Sequence, residues 1–393
     1  MSDDLRARLE SRQDARVALL ERLVRVNSYT ENREGGRGVG ELLLAELGSI
    51  PGLATRVVAS ERFAPHLVAS SAPAASSAEG AVALVGHLDT VFPPGTFESF
   101  VLEQEGHVAH GPGVLDMKGG LVVVLEALRA LAPLGVLERL PVRLVVVSDE
   151  EVGSPEGRPL IERELAGASA ALVFESGRPG DAVITRRKGT GVVSVKAHGR
   201  AAHAGNAHAD GVNAIWALSR FVDGAQALTD YGRGLTVNVG TVRGGTSKNT
   251  VPEEASAVVD LRFETADDGH ALVARLHAVA AEAARGVPGS RLELGGGLSR
   301  LPLERSLASA ALCAEYGAAA AAAGFAIREA ALIGGGSDAS STAGIGIPSI
   351  DGLGPRGTGF HTREERVELD SFVPRAEALA RFLLARASRL SGT

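Results

Sequence analysis

The chain has 393 residues, 45% of them hydrophobic and 22% charged, with 49 glycines and a formal net charge of −7. That length exceeds most single cores, so two domains are expected, and the acidic balance without a basic run argues against a nucleic-acid partner. The single cysteine, Cys313, excludes an intrachain disulfide and a cysteine-rich metal site, so any metal has to be held by imidazoles and carboxylates.

The opening MSDDLRARLESRQDAR reads as a charged amphipathic helix without the apolar centre of a secretory signal. No apolar run approaches the roughly 18 residues of a membrane helix. A cytoplasmic protein without membrane association is expected. Helical periodicity covers 4–26 and 36–48, where Leu42, Leu43 and Leu47 share a face. Strands follow near 64–70 and 81–88, and the intervening SSAPAASSAEG reads as a hairpin loop. KGGLVVVLEALRALAPLG, from Lys118, predicts a buried helix ended by Pro133 and Gly135. The Val- and Leu-rich runs 142–148, 170–175 and 182–186 predict strands covered on both faces. This alternation implies an α/β layered sheet.

Near residue 190 the pattern changes. GVVSVKAHG, a helix around GVNAIWALSRFV, LTVNVGTVRGG, EASAVVDLRFE, a helix around ALVARLHAVAAEAA and RLELGG give β-α-β-β-α-β. That order fits a small ferredoxin-like unit inserted into the larger domain. From about 303 the α/β character returns with an Ala-rich helix, the stretch IGGGSDAS, a short strand IPSID and a final helix FVPRAEALARFLLARA.

Four strand ends in the first part carry unusual chemistry. VGHLDTVFP ends an apolar strand with His87 and, two residues on, Asp89; period-two geometry points both to one side. GPGVLDMKGG sets Asp116 in a glycine-flanked turn before a helix. VVVSDEEVGS ends a strand with Asp149, Glu150 and Glu151, and ALVFES ends another with Glu175. Taken singly, each acid reads equally as a helix cap or a solvated loop residue. Open α/β sheets bind ligands beyond the carboxyl ends of their strands, so together these acids point to one site. Gathered carboxylates without a cation would have to stay partly protonated, which a pair of divalent ions relieves. With His and carboxylate ligands and no thiolate, zinc is the expected metal, with cobalt or manganese as substitutes.

The ordered series GHLDTVFP, GPGVLDMKGG, SDEEVGS, FES, GRAAHAG, NTVPEEA, DLRF, GGGSDAS and FHTREE resembles the M20 family of dinuclear zinc exopeptidases and deacylases, most of all its carboxypeptidase G2 (glutamate carboxypeptidase) branch. The resemblance runs in order from LVRVNSYTEN to the last helix. It implies a zinc-exopeptidase-like mixed-sheet catalytic domain flanked by helices, formed by 1–188 and 301–393. Residues 189–300 would form an inserted ferredoxin-like α+β domain serving as lid and dimerisation surface. His87, Asp116 and Glu175 would hold one zinc and Asp116, Glu151 and His361 the other, with Asp116 bridging the two and a cis peptide after it. Asp89 would orient His87, and Glu150 would be the general base.

In the inserted domain, His203 of GRAAHAG resembles a histidine that stabilises the oxyanion, assisted by Asn249. Arg262 of DLRF resembles a clamp for a substrate carboxylate; Val258, Asp260, Arg262 and Glu264 share a strand face, and an exposed polar face is the alternative explanation. Gly335 and Gly336 would present backbone amides to the substrate. GGGSDAS lacks the Lys of a phosphate loop. The implied activity is dinuclear zinc-dependent hydrolysis of the amide bond next to a C-terminal amino acid, with glutamate the expected one, in a small peptide or N-acyl amino acid, by a homodimer. An N-acyl-amino-acid deacylase or dipeptidase is the alternative within the family, and a metal-binding protein without turnover the alternative outside it. His66, His107, His198, His208, His270 and His277 are expected to be structural, and His110 to be packing near the site. Met117 departs from the branch, where Asp is expected, without changing ligation.

Overall fold

The computed structural model describes residues 2–103 and 107–390. The chain divides into two units: Met1–Arg186, Arg305–Leu332 and Ser337–Thr393 form the first, and Arg187–Glu304 with Ile333–Gly336 form the second.

The first unit is built on a six-stranded sheet in the order Leu53–Val58, His66–Ser71, Val142–Val147, Val82–His87, Ala170–Val173, Ser349–Ile350. The first two pairings are antiparallel and the remaining three parallel, so the sheet is mixed. The three central strands are buried along their whole length, which is why they read as continuous apolar runs rather than alternating ones. Val82–His87 is followed in sequence by a neighbour on one side and then by a neighbour on the other. The chain therefore reverses direction across the sheet at its carboxyl end, the point where a crevice opens.

The register matters more than the order. His87 pairs with Val147, and Val85 with Val173. The residues following these strands, Ser148–Glu151 and Phe174–Glu175, therefore leave the sheet at the level of His87. The helix Lys118–Leu131 packs on Val82–His87 and on the helices Gln13–Arg25 and Phe372–Leu390, and all but one of its residues are buried. It begins very close to the sheet: a Cβ at Gly120 would lie 2.0 Å from the carbonyl oxygen of Phe174, so only glycine fits there.

Four local expectations are corrected. The predicted helix 4–26 is two helices, Ser2–Glu10 and Gln13–Arg25; the chain turns at Ser11–Arg12, and Arg12 places Nε and Nη2 on the buried carboxylate of Glu126 at 2.9 and 3.2 Å. SSAPAASSAEG is not a hairpin loop. His66–Ser71 and Val82–His87 are separated by Val142–Val147, and Ser71 Oγ is engaged instead by Leu140 O and Val142 N. The strand expected at 182–186 shrinks to Ala182–Val183, which pairs in parallel with Arg328–Glu329 outside the central sheet. The helix expected at 36–48 begins earlier, at Arg33, because Asn32 caps it by accepting the N–H of Gly35.

The second unit is a four-stranded antiparallel sheet in the order Thr236–Gly244, Glu254–Phe263, Gly189–His198, Arg291–Arg300, with the helices Ala214–Gln226 and Ala266–Arg285 following the first and third strands in sequence. This is the ferredoxin-like β-α-β-β-α-β arrangement. Gly189–His198 alternates buried and more exposed residues, so one face of the sheet carries the core of Val193, Val195, Ala197, Leu218, Phe221 and Leu276. The fold is thus a mixed α/β unit with an inserted α+β unit, as the sequence implies.

Candidate metal centre

Five side chains from five distant segments meet at the carboxyl end of the sheet. His87 closes its strand with only 1% of its surface exposed. Its Nε2 lies 3.4 Å from Asp116 Oδ1 and 3.7 Å from Glu175 Oε1. On the other side, His361 Nε2 lies 3.4 Å from Asp116 Oδ2 and 3.1 Å from Glu151 Oε2. Each oxygen of Asp116 thus faces a different imidazole. Glu150 also reaches this cluster: one of its carboxylate oxygens lies within 4.8 Å of ligand atoms of both His87 and Glu175.

The backbone that aims these groups is tightly held. Asp89 Oδ1 accepts the N–H of Glu150 at 3.1 Å, and its Oδ2 accepts the N–H of Glu151 at 3.2 Å and the hydroxyl of Thr30 at 2.7 Å. His87 Nδ1 lies 3.3 Å from Asp89 Oδ1 and 3.0 Å from the Asp89 carbonyl oxygen, so that nitrogen carries the proton and Nε2 turns its lone pair to the cluster. The peptide bond between Asp116 and Met117 is cis. Met117 is buried, with its sulfur 3.2 Å from the amide nitrogen of His87. The turn before Asp116 is anchored by Glu365, a residue for which the sequence suggests no role. The signal was available in FHTREE, where an acid follows His361 by four positions. His361 itself sits at φ 63°, a left-handed conformation uncommon for residues other than glycine.

Burial and mutual repulsion dominate the electrostatics of the acids. Burial and the charge of Asp116 push the Glu175 carboxyl well above the ordinary range, and burial likewise raises Glu151 despite its contact with His361. Burial works against ionised Asp116, yet its contacts with His361 and His87 hold it well below that range. Contacts with Asp116 and Glu151 drive His361 up to about 10. These gathered acids therefore call for positive charge beside them.

A pair of divalent ions fits this donor set. Asp116 Oδ1 and Glu151 Oε1 are buried without a hydrogen-bond donor, an arrangement costly unless something positive faces them. Donor atoms about 2.0–2.2 Å from a tetrahedral zinc are about 3.3–3.6 Å apart, close to the spacings from each imidazole to its neighbouring acids. Nitrogen and oxygen donors with no thiolate also match zinc or its first-row neighbours.

The remaining sequence candidates lie in the second unit. His203 follows Ala202 in a two-residue strand paired with Thr250–Val251. Its Nδ1 accepts the N–H groups of Gly205 at 3.1 Å and Asn206 at 3.0 Å, which leaves the proton on the exposed Nε2. Asn249 stands beside it, its carbonyl oxygen accepting the N–H of Ala204 at 2.9 Å and its Oδ1 the hydroxyl of Ser247 at 3.1 Å. Arg262 forms a two-point fork on Asp260, Nε to Oδ1 at 2.9 Å and Nη2 to Oδ2 at 3.0 Å, along the shared strand face. The carbonyl oxygens of Gly335 and Gly336 accept from Arg187 Nη1 at 3.0 and 3.4 Å.

Among the other histidines, His66 is buried at the start of its strand with Nδ1 accepting the N–H of Ser148 at 3.2 Å, and His198 faces Glu293 at 3.3 Å. His110 is 2.8 Å from Glu103 Oε1. No helix among the described residues is long and apolar enough to cross a membrane.

Comparison with known proteins identifies the family. Residues 83–385 match the family model for peptidase family M20/M25/M40. Carboxypeptidase G2 from Pseudomonas sp. (strain RS-16) is 30% identical over 387 residues, 95% of this chain and 89% of that one. A tripeptidase from Staphylococcus aureus superposes with a TM-score of 0.76 at 21% identity, covering 96% of this chain and 99% of that one. A dinuclear metal-binding peptidase of family M20 from Bacillus subtilis superposes at 0.69 with 15% identity, covering 96% and 99%. The chain belongs to peptidase family M20/M25/M40 and is a metallopeptidase, a hydrolase of amide bonds, most like carboxypeptidase G2 among the three proteins compared.

Proposed function

We propose that the protein is a dinuclear zinc carboxypeptidase that releases a C-terminal amino acid, glutamate foremost, from small peptides or N-acyl amino acids. The observation that carries this reading is Asp116, whose two oxygens each face a different imidazole at 3.4 Å. His87, Asp116 and Glu175 would hold one ion and Asp116, Glu151 and His361 the other. Bound there, the ions would supply Lewis acidity toward the scissile carbonyl and charge to offset the acids, and Co²⁺ or Mn²⁺ would serve in place of Zn²⁺.

Glu150 is the general base: it takes a proton from the attacking water and delivers it to the departing nitrogen. Asp89 keeps His87 in the required tautomer and holds the Glu150–Glu151 backbone. His203 donates from Nε2 to the negative charge developing on the carbonyl oxygen, in keeping with the two N–H groups that occupy its Nδ1, and Asn249 assists. Arg262 binds the substrate carboxylate through the N–H groups that its fork with Asp260 leaves over, and Gly335 and Gly336 line the same subsite. Residues 189–300 act as lid and dimerisation domain of a homodimer whose catalytic domain comprises 1–188 and 301–393. The location is cytosolic, in keeping with Cys313 as a buried free thiol.

Glu150→Ala tests the mechanism: it should retain two divalent ions per chain and lose turnover, and undiminished turnover would remove Glu150 from the chemistry. Specificity is tested with a panel of N-acyl amino acids and dipeptides varied at the C-terminus. Preference for C-terminal glutamate supports the carboxypeptidase. Preference governed by the acyl group, whatever the amino acid, would make it a deacylase, and restriction to free dipeptides a dipeptidase. Equal cleavage of C-terminally amidated substrates would exclude the Arg262 clamp.

A further inference from the structure

Glu365 is fully buried, and its carboxylate is spent entirely on one turn of a distant segment. Oε1 accepts the N–H groups of Leu115 and Asp116, both at 2.9 Å, and Oε2 accepts that of Gly113 at 3.0 Å. Its own carbonyl oxygen accepts the N–H of Gly111 at 3.3 Å, continuing the antiparallel pairing of Arg366–Glu368 with Val108–His110. One residue thus takes four amides from the six-residue run that ends in Asp116.

That turn has no slack. Gly113 sits at φ 71°, and a Cβ there would lie 2.5 Å from Thr90 Cγ2. Lys118 directly follows the turn and is buried, its Nζ donating to Val26 O at 3.0 Å. Glu365 also closes the stretch that carries His361. The N–H of Thr362 reaches Gly359 O at 3.0 Å and that of Glu365 reaches Thr362 O at 3.2 Å, two successive tight turns around the left-handed His361. Five residues therefore contribute one imidazole to the centre and grip the backbone of the carboxylate that faces it.

We propose that Glu365 is a positioning residue that fixes the spacing between Asp116 and His361, and so sets the affinity of the ion those two residues share with Glu151. The proposal rests on the dinuclear reading above. A neutral acceptor or water would satisfy turn amides at lower desolvation cost than a buried carboxylate. Three N–H groups converging on one side chain fix the turn from three points, which is what holding a ligand in place requires. Partners beyond the ligands themselves commonly shift metal affinity by about 10- to 100-fold when removed.

The test is stepwise titration of the metal-free full chain with Co²⁺, followed by visible absorption, in the wild type, Glu365→Ala and Glu365→Gln, with thermal melts alongside. Glu365→Ala should weaken one of the two Co²⁺ binding steps at least about tenfold and alter the absorption of that ion, while the other step changes little. Glu365→Gln keeps an acceptor for Leu115 and Asp116 but sets an NH₂ against Gly113, so it should fall between Glu365→Ala and wild type. Where Glu365→Ala does not fold, Glu365→Gln alone decides: weakening of one step by about threefold or more is expected. Variants that melt earlier yet bind both ions as the wild type does would reduce Glu365 to a structural role and overturn the proposal. A wild type that binds no Co²⁺ would instead overturn the dinuclear reading itself, whatever the variants do.

Discussion

Asp89 and Glu150 are joined through the main chain: the Asp89 carboxylate accepts the N–H of Glu150 at 3.1 Å while standing 3.3 Å from the ring nitrogen of His87. A single buried side chain therefore fixes the tautomer of one metal-ligand candidate and the backbone of the proposed base. Its second oxygen takes the N–H of Glu151 and the Thr30 hydroxyl. Asp89→Asn cannot accept all of these, because its NH₂ must face one of the backbone donors. It should lower kcat/KM by about 10- to 100-fold with weakened metal binding. Thr30→Val removes one hydrogen bond from an uncharged donor and should cost less, about fivefold. Steady-state kinetics with metal analysis would check the order, and an Asp89→Asn enzyme as active as the wild type would refute the coupling.

The approach of the helix Lys118–Leu131 to the sheet leads to a second expectation. At Gly120 an added Cβ would be blocked by the backbone carbonyl of Phe174, the residue before Glu175. At Gly86 the obstacles are Met117 Cε at 2.7 Å and Leu121 Cδ2 at 2.8 Å, the ends of flexible side chains. Gly120→Ala should therefore destabilise by about 3 kcal/mol or more, and Gly86→Ala by nearer 1 kcal/mol. Thermal melts of the two variants give the comparison; similar losses would mean that the helix can slide on the sheet.

These two positions also show where sequence reasoning reaches and where it stops. Continuous apolar runs identify the buried strands, because parallel strands covered on both faces have no polar alternation. The candidates at their ends stand out because His87, Asp116, Glu151 and Glu175 are chemically out of place there, whereas His361 comes only from the family resemblance; the fold brings all five together. Strand order is another matter: Val142–Val147 intrudes between His66–Ser71 and Val82–His87 because pairing is decided across the whole sheet, not by the loop between neighbours. The role of Glu365 is invisible for a similar reason, since its partners lie about 250 positions upstream and are backbone groups, which carry no residue signature. For Arg262 the sequence locates the polar strand face, but not that Asp260 already occupies two of its donors.

Away from the centre, Glu329 gives a pH dependence of known sign. Hydrogen bonds from Arg305 and Thr185 hold its carboxyl down to about 2. A carboxyl depressed on folding stabilises the native state at pH above its unfolded value, near 4.3, and that contribution disappears as pH falls toward 2. Arg305 and Glu329 are 41% and 35% exposed, so solvent screening keeps the effect below about 1 kcal/mol. Arg305→Met should thus melt slightly below the wild type at pH 6, with the gap narrowing at pH 3.5. A gap that widens on acidification would show that the pair is not the source.

The crowded acids predict a reversal of stability with metal. Glu175 is buried beside Asp116, and both effects disfavour its ionised form in the metal-free fold. Because its native pKa lies above the unfolded value, the penalty is absent at low pH and grows as pH rises through that range. Glu175→Gln keeps the shape and removes the charge. With a chelator at neutral pH, the variant should therefore melt above the wild type. With Zn²⁺ or Co²⁺ present the ranking should invert, because ligand at about 100 times its Kd stabilises the wild type by about 2.7 kcal/mol per ion, whereas the variant has lost a charged donor for one of them. Melts of both proteins with and without metal provide the four values needed. If Glu175→Gln were less stable under both conditions, Glu175 would be holding the fold through packing or hydrogen bonding, and its place among the metal ligands would have to be given up.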